Sequence, residues 1–231
     1  MIAVIDYGMG NLRSVEKALH VVGAKTKVTS CPKDLAKAEK VVFPGVGSFG
    51  AAMKELKRRR LIEPIKDAIA EGKYFLGLCL GMQLLFEKSD ESPGVKGLCV
   101  LRGDVRRFKF TKDERRKTKD ELKVPHMGWN SIRRSSFVDR RSSLSGRLRF
   151  APLSFVDRRS SILNGVPDNA YMYFAHSYYA NPKDKGVILT TTDYGIKFAS
   201  GVAKDNVFGL QFHPEKSQAV GLRMLKNFVG L

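Results

Sequence analysis

The chain has 231 residues, enough for one domain with a single sizeable core, and its 43% hydrophobic and 28% charged residues are ordinary for a globular protein. No export signal or membrane-spanning run stands out, which predicts a cytoplasmic protein, and three widely spaced cysteines argue against a disulfide framework or a zinc site. A net charge of +18 leaves nucleic-acid binding open, although residues 106–161 carry +11 of it.

The first half of the chain alternates predicted strands with predicted helices. Apolar runs and helical spacing place these elements, in chain order, at Ile2–Ile5, a helix after Asn11, Lys25–Thr29, a short helix after Pro32, Lys40–Phe43, Ala51–Arg59, Leu61–Glu71 and a strand from Tyr74. This alternation predicts parallel strands joined by right-handed crossovers, with ligands at the carboxyl ends of the strands. The turn at Gly8 and Gly10 is not a dinucleotide fingerprint, because its third glycine is replaced by Arg13, and we expect no cofactor.

The second half is richer in short β segments. The predicted strands are Leu98–Leu101, Val105–Phe110, Val124–Ile132, Tyr171–His176, Val187–Thr192, Lys197–Ala203 and Val207–Phe212, followed by a helix over Lys216–Leu231. Ser136–Ser143 recurs as Ser154–Ser161, displaced by 18 residues, a tandem duplication that lengthens one connection. We therefore predict a single α/β domain over 1–231. Its mostly parallel central sheet is flanked by helices and carries an added antiparallel β segment, with inserted loops at about 111–123 and 133–161.

Cys79 stands where the apolar strand from Tyr74 meets a predicted helix. A thiol at such a bend lies at the positive end of the helix, which favours thiolate over thiol. Gly77 and Gly81 flank it at i−2 and i+2, as a tight nucleophile elbow requires. The alternative is a buried core cysteine, since free cysteine is among the most buried residue types.

Two other strand ends supply the partners that a nucleophilic cysteine needs. His213 and Glu215 follow the last strand at i and i+2, and Pro214 biases His213 toward extended backbone, so the carboxylate can orient the imidazole. The turn Pro44–Gly50 is rich in glycine and can aim a backbone N–H at an oxyanion.

With these motifs the sequence resembles the class I, triad-type glutamine amidotransferases, and within them the glutaminase subunit of imidazole glycerol phosphate synthase. The resemblance rests on Ile5–Val15, Pro44–Gly50, Gly77–Gln83, Val124–Asn130, Tyr173–Tyr178 and Gln211–Ser217. The cysteine and histidine motifs are shared by the whole class, whereas the opening block and Pro125–Asn130 mark the subfamily. The match covers nearly the whole chain and lapses at the two inserted loops.

The resemblance implies roles for individual residues. Cys79 attacks the amide of L-glutamine, His213 serves as the base and Glu215 orients it. Backbone N–H groups at Val46, after a peptide flip, and at Leu80 form the oxyanion hole. The residues expected to contact bound glutamine are Gly47, Gln83, Glu91, Ser177 and Tyr178, with a solvated loop acid as the alternative for Glu91.

The resemblance also implies a partner in histidine biosynthesis. This partner is a (β/α)8-barrel cyclase that forms a heterodimer with the glutaminase and receives its ammonia. The residues expected to face it are Met127, Trp129, Asn130, Tyr173 and Lys216. Trp129 and Tyr173 are also explained as ordinary core residues, and His126 and His176 as packing or substrate-framing residues.

Two rival functions remain at this point. An autonomous cysteine hydrolase or peptidase on the same fold would need no partner and leaves the block around Trp129 unexplained. A basic nucleic-acid-binding module would use aromatic residues interleaved with basic ones. The aromatic residues available for it are Phe108, Phe110, Phe137, Phe150 and Phe155.

Overall fold

The structure, a computed structural model, describes residues 1–110, 122–135 and 161–231. The helices are α1 (Leu12–Val21), α2 (Pro32–Lys37), α3 (Phe49–Arg58), α4 (Ile62–Ala70), α5 (Leu80–Gln83) and α6 (Gln218–Val229). The strands are β1 (Ile2–Ile5), β2 (Thr26–Thr29), β3 (Lys40–Gly45), β4 (Tyr74–Cys79), β5 (Lys88–Ser89), β6 (Gly103–Arg107), β7 (His126–Ser131), β8 (Arg133–Arg134), β9 (Tyr171–His176), β10 (Tyr178–Pro182), β11 (Ile188–Tyr194), β12 (Ile196–Lys204) and β13 (Val207–Leu210).

The central sheet confirms the predicted α/β class. Strands β2, β1, β3, β4 and β13 pair in that order and run parallel, and β12, β10 and β6 continue the sheet with antiparallel pairing. The predicted antiparallel pair around Asp193 is present as β11 and β12. A separate antiparallel ribbon consists of β7 and β9. The architecture is thus a mostly parallel half joined to an antiparallel half.

The inner parallel strands β1, β3 and β4, and β13 beside them, are buried on both faces, as helices on each side of such a sheet require. On β1, Ala3 and Ile5 belong to a core shared with α3 and α4, whereas Ile2 and Val4 belong to a second core under α1 and α6. The period-2 alternation of side chains along a strand divides the sequence between these two cores.

One predicted strand was wrong. Leu98–Leu101 forms no strand, because its backbone N–H groups bond to carbonyls just after α5, as between Leu98 and Leu84 O (2.8 Å). The helix predicted after Cys79 is also short and ends at Gln83. Both differences have one cause, since the chain after α5 folds back and its carbonyls bond to the 98–101 segment.

The duplicated connection is described only at its ends. On one side β8 pairs with β11, and the Arg134 guanidinium donates to Leu163 O and Val166 O, both at 3.0 Å. Of the predicted loops at about 111–123 and 133–161, residues 111–121 and 136–160 lie outside the described residues, and they include the first repeat and most of the second. No helix in the described ranges is long and apolar enough to cross a membrane.

Candidate active site

Cys79 occupies a strained backbone position at the junction of β4 and α5. Its φ of 52° and ψ of −107° are unusual for a residue with a side chain, and they place the buried thiol on a sharp strand-to-helix turn. A Cβ on Gly77 would lie 2.7 Å from Gly81 O, and one on Gly81 would lie 1.9 Å from Phe43 O. The flanking glycines therefore allow the elbow to pack directly on its own backbone and on β3.

The glycine-rich turn lies beside this elbow. Gly45 at the end of β3 is in register with Cys79 at the end of β4. Gly47 has a φ of +96°, which favours glycine, and Val46 is 42% exposed. The register brings the predicted oxyanion turn next to the thiol, at the carboxyl ends of two parallel strands.

His213 and Glu215 reach the same edge from β13. The imidazole Nδ1 lies 2.9 Å from Glu215 Oε1, and the two side chains are only 7% and 2% exposed. His213 N–H donates to Tyr173 O at 2.9 Å, and Ser217 Oγ donates to His213 O at 2.6 Å. The backbone on both sides of the imidazole is thereby fixed.

The other ring nitrogen of His213 faces Cys79. Burial lowers the pKa of His213, but hydrogen bonds to Cys79 and Glu215, together with their charges, outweigh burial and raise this pKa to about 10. The imidazole thus stands between a sulfur and a carboxylate, a position from which it can pass a proton to and from the sulfur. The three residues that the sequence predicts as nucleophile, base and orienting acid therefore lie in contact, in that order.

The second carboxylate oxygen of the pair is unusual. Glu215 Oε2 is buried, and among the described residues it has no hydrogen-bond partner. Glu215 and His213 line a small cavity with Asn11 and Val46, of about 10 Å³, room for one water molecule. A water there would satisfy the oxygen without disturbing the bond to His213.

Several of the residues predicted to contact glutamine already make hydrogen bonds within the protein. The Gln83 amide is buried and donates to Tyr178 O (2.9 Å) and Gln211 Oε1 (3.1 Å), so its two N–H groups are already used. Glu91 Oε2 accepts the N–H of Phe49 at 2.7 Å, at the start of α3, so Glu91 is a helix cap rather than a free loop acid. Ser177 O accepts from Phe108 N at 3.1 Å. The predicted substrate-binding role of these residues, and of Gly47, stays a prediction.

Two buried groups near the thiol were missed from the sequence. Gln211 Nε2 lies 3.8 Å from Cys79 Sγ, and Gln211 is fully buried. Tyr7 is also fully buried, and its hydroxyl has no hydrogen-bond partner among the described residues. Burial, and to a smaller extent the charge of Cys79, raises the pKa of Tyr7. The signal for Gln211 was its place two residues before His213 in extended chain, where side chains point to the same side.

His126 and His176 form a buried pair rather than an exposed site. Their Nδ1 and Nε2 atoms lie 3.1 Å apart, and His126 stacks on Tyr194 with ring centroids 3.9 Å apart. Burial lowers the pKa of His126 to about 4 and that of His176 to about 3. Both rings are therefore neutral near pH 7, which suits packing and hydrogen bonding.

The ribbon of β7 and β9 has an outward face of large side chains. Met127 is 64% and Trp129 is 46% exposed, and Trp129 lies edge-on to Tyr173 with centroids 6.0 Å apart. Lys216 Nζ lies 5.6 Å from the centre of the Tyr173 ring. Asn130 alternates to the other face, where its amide donates to Asp193 O at 2.9 Å. Trp129 is thus not a core residue, and the predicted partner contacts of all five residues stay predictions.

Comparison with known proteins gives a consistent result. Residues 3–230 match the model of the class-I glutamine amidotransferase family. The subunit HisH of imidazole glycerol phosphate synthase from Geobacter metallireducens is 47% identical over 98% of this chain and 96% of that protein. The HisH subunit from Salinibacter ruber is also 47% identical, over 100% of this chain and 94% of that protein.

Solved structures agree on the fold. A crystal structure of a glutamine amidotransferase covers 100% of both chains with a TM-score of 0.68 at 16% identity. The structure of PurLQS from Thermotoga maritima covers 99% of this chain and 96% of that chain with a TM-score of 0.63 at 17% identity. The chain therefore belongs to the class-I glutamine amidotransferase family and, within it, to the family of the HisH subunits of imidazole glycerol phosphate synthase.

Proposed function

We propose that this chain is the glutaminase subunit of imidazole glycerol phosphate synthase and hydrolyses L-glutamine to glutamate and ammonia. The observation that carries the proposal is the contact series from Cys79 through His213 to Glu215 at one edge of the parallel sheet. It occurs in a chain of the HisH family, and this supports glutamine over other substrates of cysteine hydrolases.

The proposed reaction begins with the Cys79 thiolate. Its sulfur attacks the carboxamide carbon of the glutamine side chain, and the carbonyl oxygen takes the negative charge of a tetrahedral intermediate. Protonated His213 gives its proton to the nitrogen, the C–N bond breaks, and ammonia leaves a glutamyl thioester on Cys79. His213 then takes a proton from a water molecule, which attacks the thioester carbon and releases glutamate with restored thiolate and imidazolium.

Stabilisation of the oxyanion is assigned to two backbone N–H groups. Leu80 follows the nucleophile and opens α5, so its N–H is free of the strand ladder. Val46 stands on the exposed glycine turn next to the thiol, and its N–H belongs to the peptide that follows Gly45, where the lack of a side chain eases reorientation of the backbone. Removal of one such donor costs roughly 10²–10³ in rate in other enzymes.

The outward face of the β7–β9 ribbon is proposed to bind the partner subunit. The HisH relatives are named as subunits of a synthase, which supports the existence of a second subunit. We propose that this second subunit is a (β/α)8-barrel cyclase that takes up the ammonia. Met127, Trp129 and Tyr173 provide the aromatic and methionine surface that interfaces favour. Ammonia would pass to the cyclase directly, since free ammonia is protonated in water and loses nucleophilicity.

Glutamate release in the presence of the cyclase subunit tests the proposal. Cys79→Ala should abolish release, because no other group can form the thioester, while Cys31→Ser and Cys99→Ser should leave it nearly unchanged. Cys31 and Cys99 are matched controls, since both are exposed cysteines outside the site. Retention of more than a trace of activity by Cys79→Ala would refute the assignment.

A further inference from the structure

A directional chain of hydrogen bonds runs inward from the ribbon. His176 Nδ1 lies 2.8 Å from Tyr178 O, and a carbonyl only accepts, so this nitrogen carries the proton. Because the ring is neutral, His176 Nε2 accepts, and His126 Nδ1 must donate to it at 3.1 Å. His126 Nε2 is then an acceptor, and Asn130 Nδ2 lies 3.3 Å from it. One protonation pattern fixes all three bonds.

A second branch leads from the same carbonyl to the nucleophile. Gln83 Nε2 donates to Tyr178 O, which is thus shared with His176, and also to Gln211 Oε1. This arrangement fixes the Gln211 amide with its oxygen toward Gln83 and its nitrogen toward Cys79 Sγ, 3.8 Å away. Gln83, Gln211 and both histidines are at most 6% exposed, so water does not compete for these bonds.

Besides His213, the sulfur has a different hydrogen-bond partner in each of its two forms. A thiol donates, and Ala175 O is its acceptor at 3.9 Å. A thiolate only accepts, and the Gln211 amide is then its donor. The donor from Gln211 therefore favours the ionised form, while the charged or titratable groups that face the sulfur are His213 and Tyr7.

We propose that Gln211 stabilises the Cys79 thiolate through its amide N–H, and that Asn130, His126, His176 and Gln83 are positioning residues that hold this amide in register. The inference rests on the proposed function only in taking Cys79 as the nucleophile. It gives the inward-facing Asn130 a task in the active site, at a position adjacent in sequence to the exposed Trp129.

The rate of Cys79 alkylation by iodoacetamide against pH tests the proposal on the full chain without glutamine or partner. All variants are made in a Cys31→Ser, Cys99→Ser background, so that only Cys79 reacts. Gln211→Met keeps the volume and removes the donor, and the midpoint of the rate profile should move up by about one pH unit, which is about tenfold slower alkylation below both midpoints. Gln211→Leu also removes the donor without adding a charge, and it serves as the second variant if Gln211→Met does not fold.

The positioning chain is tested by a double-mutant cycle. Asn130→Ala should raise the midpoint by a smaller amount, and this shift should vanish when Gln211 is already replaced, because the two residues act through one donor. Asn181→Ala is the matched control, since Asn181 on β10 donates to Asp104 and takes no part in the series of hydrogen bonds from Asn130 to Gln211. An unchanged midpoint in a folded Gln211 variant overturns the proposal, and shifts that simply add overturn the part assigned to Asn130. The proposed function is tested separately, by the loss of glutamate release in Cys79→Ala, so the proposed function and this inference can fail independently of each other.

Discussion

The elbow at Cys79 and the β7–β9 ribbon touch each other but are specified in different ways. The elbow depends on residues within a few positions of the thiol, Gly77 and Gly81, whose missing side chains let the backbone pack at 1.9–2.7 Å from where a Cβ would stand. The ribbon joins residues far apart in sequence, such as Trp129 and Tyr173, and has one buried and one exposed face. Substitutions at the elbow should therefore disturb the fold itself. On the ribbon, substitutions on the buried face should affect folding, whereas those on the exposed face should affect the proposed binding of a partner.

Gly81→Ala breaks the elbow and has the largest expected effect on stability. The new Cβ would meet Phe43 O, a backbone atom that cannot move aside cheaply, so β3 and α5 must separate. We expect a loss of about 3–4 kcal/mol in the free energy of unfolding, measured by urea denaturation. Glutamate release should fall with it, because Gly45 and Cys79 lose their register.

Gly230→Ala is the matched control for this change. Its φ is −81°, and the nearest atom to its Cβ would be 3.5 Å away, an ordinary contact. A change within about 0.5 kcal/mol is expected there. Equal effects at the two glycines would mean that the close approach at Gly81 does not hold the elbow.

The same contrast explains how far the sequence could be read. The elbow, the parallel strands and the order Cys79, His213, Glu215 follow from local glycines, apolar runs and strand ends, and the structure brings these residues together. The inward turn of Asn130 depends on which face of the β7–β9 ribbon packs against Tyr194, and no local sequence pattern predicts this. Leu98–Leu101 has the apolar residues typical of a strand, but its backbone N–H groups donate to carbonyls just after α5 and are therefore not available to a neighbouring strand.

His126→Phe tests the buried face of the ribbon through pH. The folded pKa of His126, about 4, lies below its ordinary value of 6.5, so the unfolded chain binds a proton that the folded chain does not. This contribution to stability is complete above pH 6.5 and is lost as the pH falls toward 4, by up to about 3 kcal/mol. The variant keeps the stacking on Phe174 and Tyr194 but cannot titrate.

The expected result for His126→Phe is a flatter dependence of unfolding free energy on pH between 4 and 6.5. At pH 7 the variant should be about 1 kcal/mol less stable, because His176 Nε2 loses its donor. The measurement is a set of urea unfolding curves across this pH range. An unchanged slope would mean that His126 is protonated in the folded chain, contrary to the directional hydrogen bonds of the buried face.

Trp129→Ala tests the outward face and should leave stability within about 1 kcal/mol, because nearly half of the side chain is already exposed. Its effect should appear in binding to the cyclase subunit, with a loss of about 10–100-fold in affinity by calorimetry. Val21→Ala, at a 64% exposed position on α1, is the control and should change neither quantity. A loss of stability with unchanged binding would mean that Trp129 supports the fold and not the interface.

The proposed triad is tested most directly by single-turnover glutamate release from the complex with the cyclase subunit, compared between His213→Ala and Glu215→Gln. His213→Ala removes the proton carrier, and we expect a loss of about 10³–10⁴-fold. Glu215→Gln removes the negative charge, but its amide oxygen can still accept a hydrogen bond from His213 Nδ1 and the imidazole is still the proton carrier, so a smaller loss of about 10–100-fold is expected. Small and equal losses in the two variants would contradict the assignment of His213 as the base, and His176 would then be the first alternative to replace.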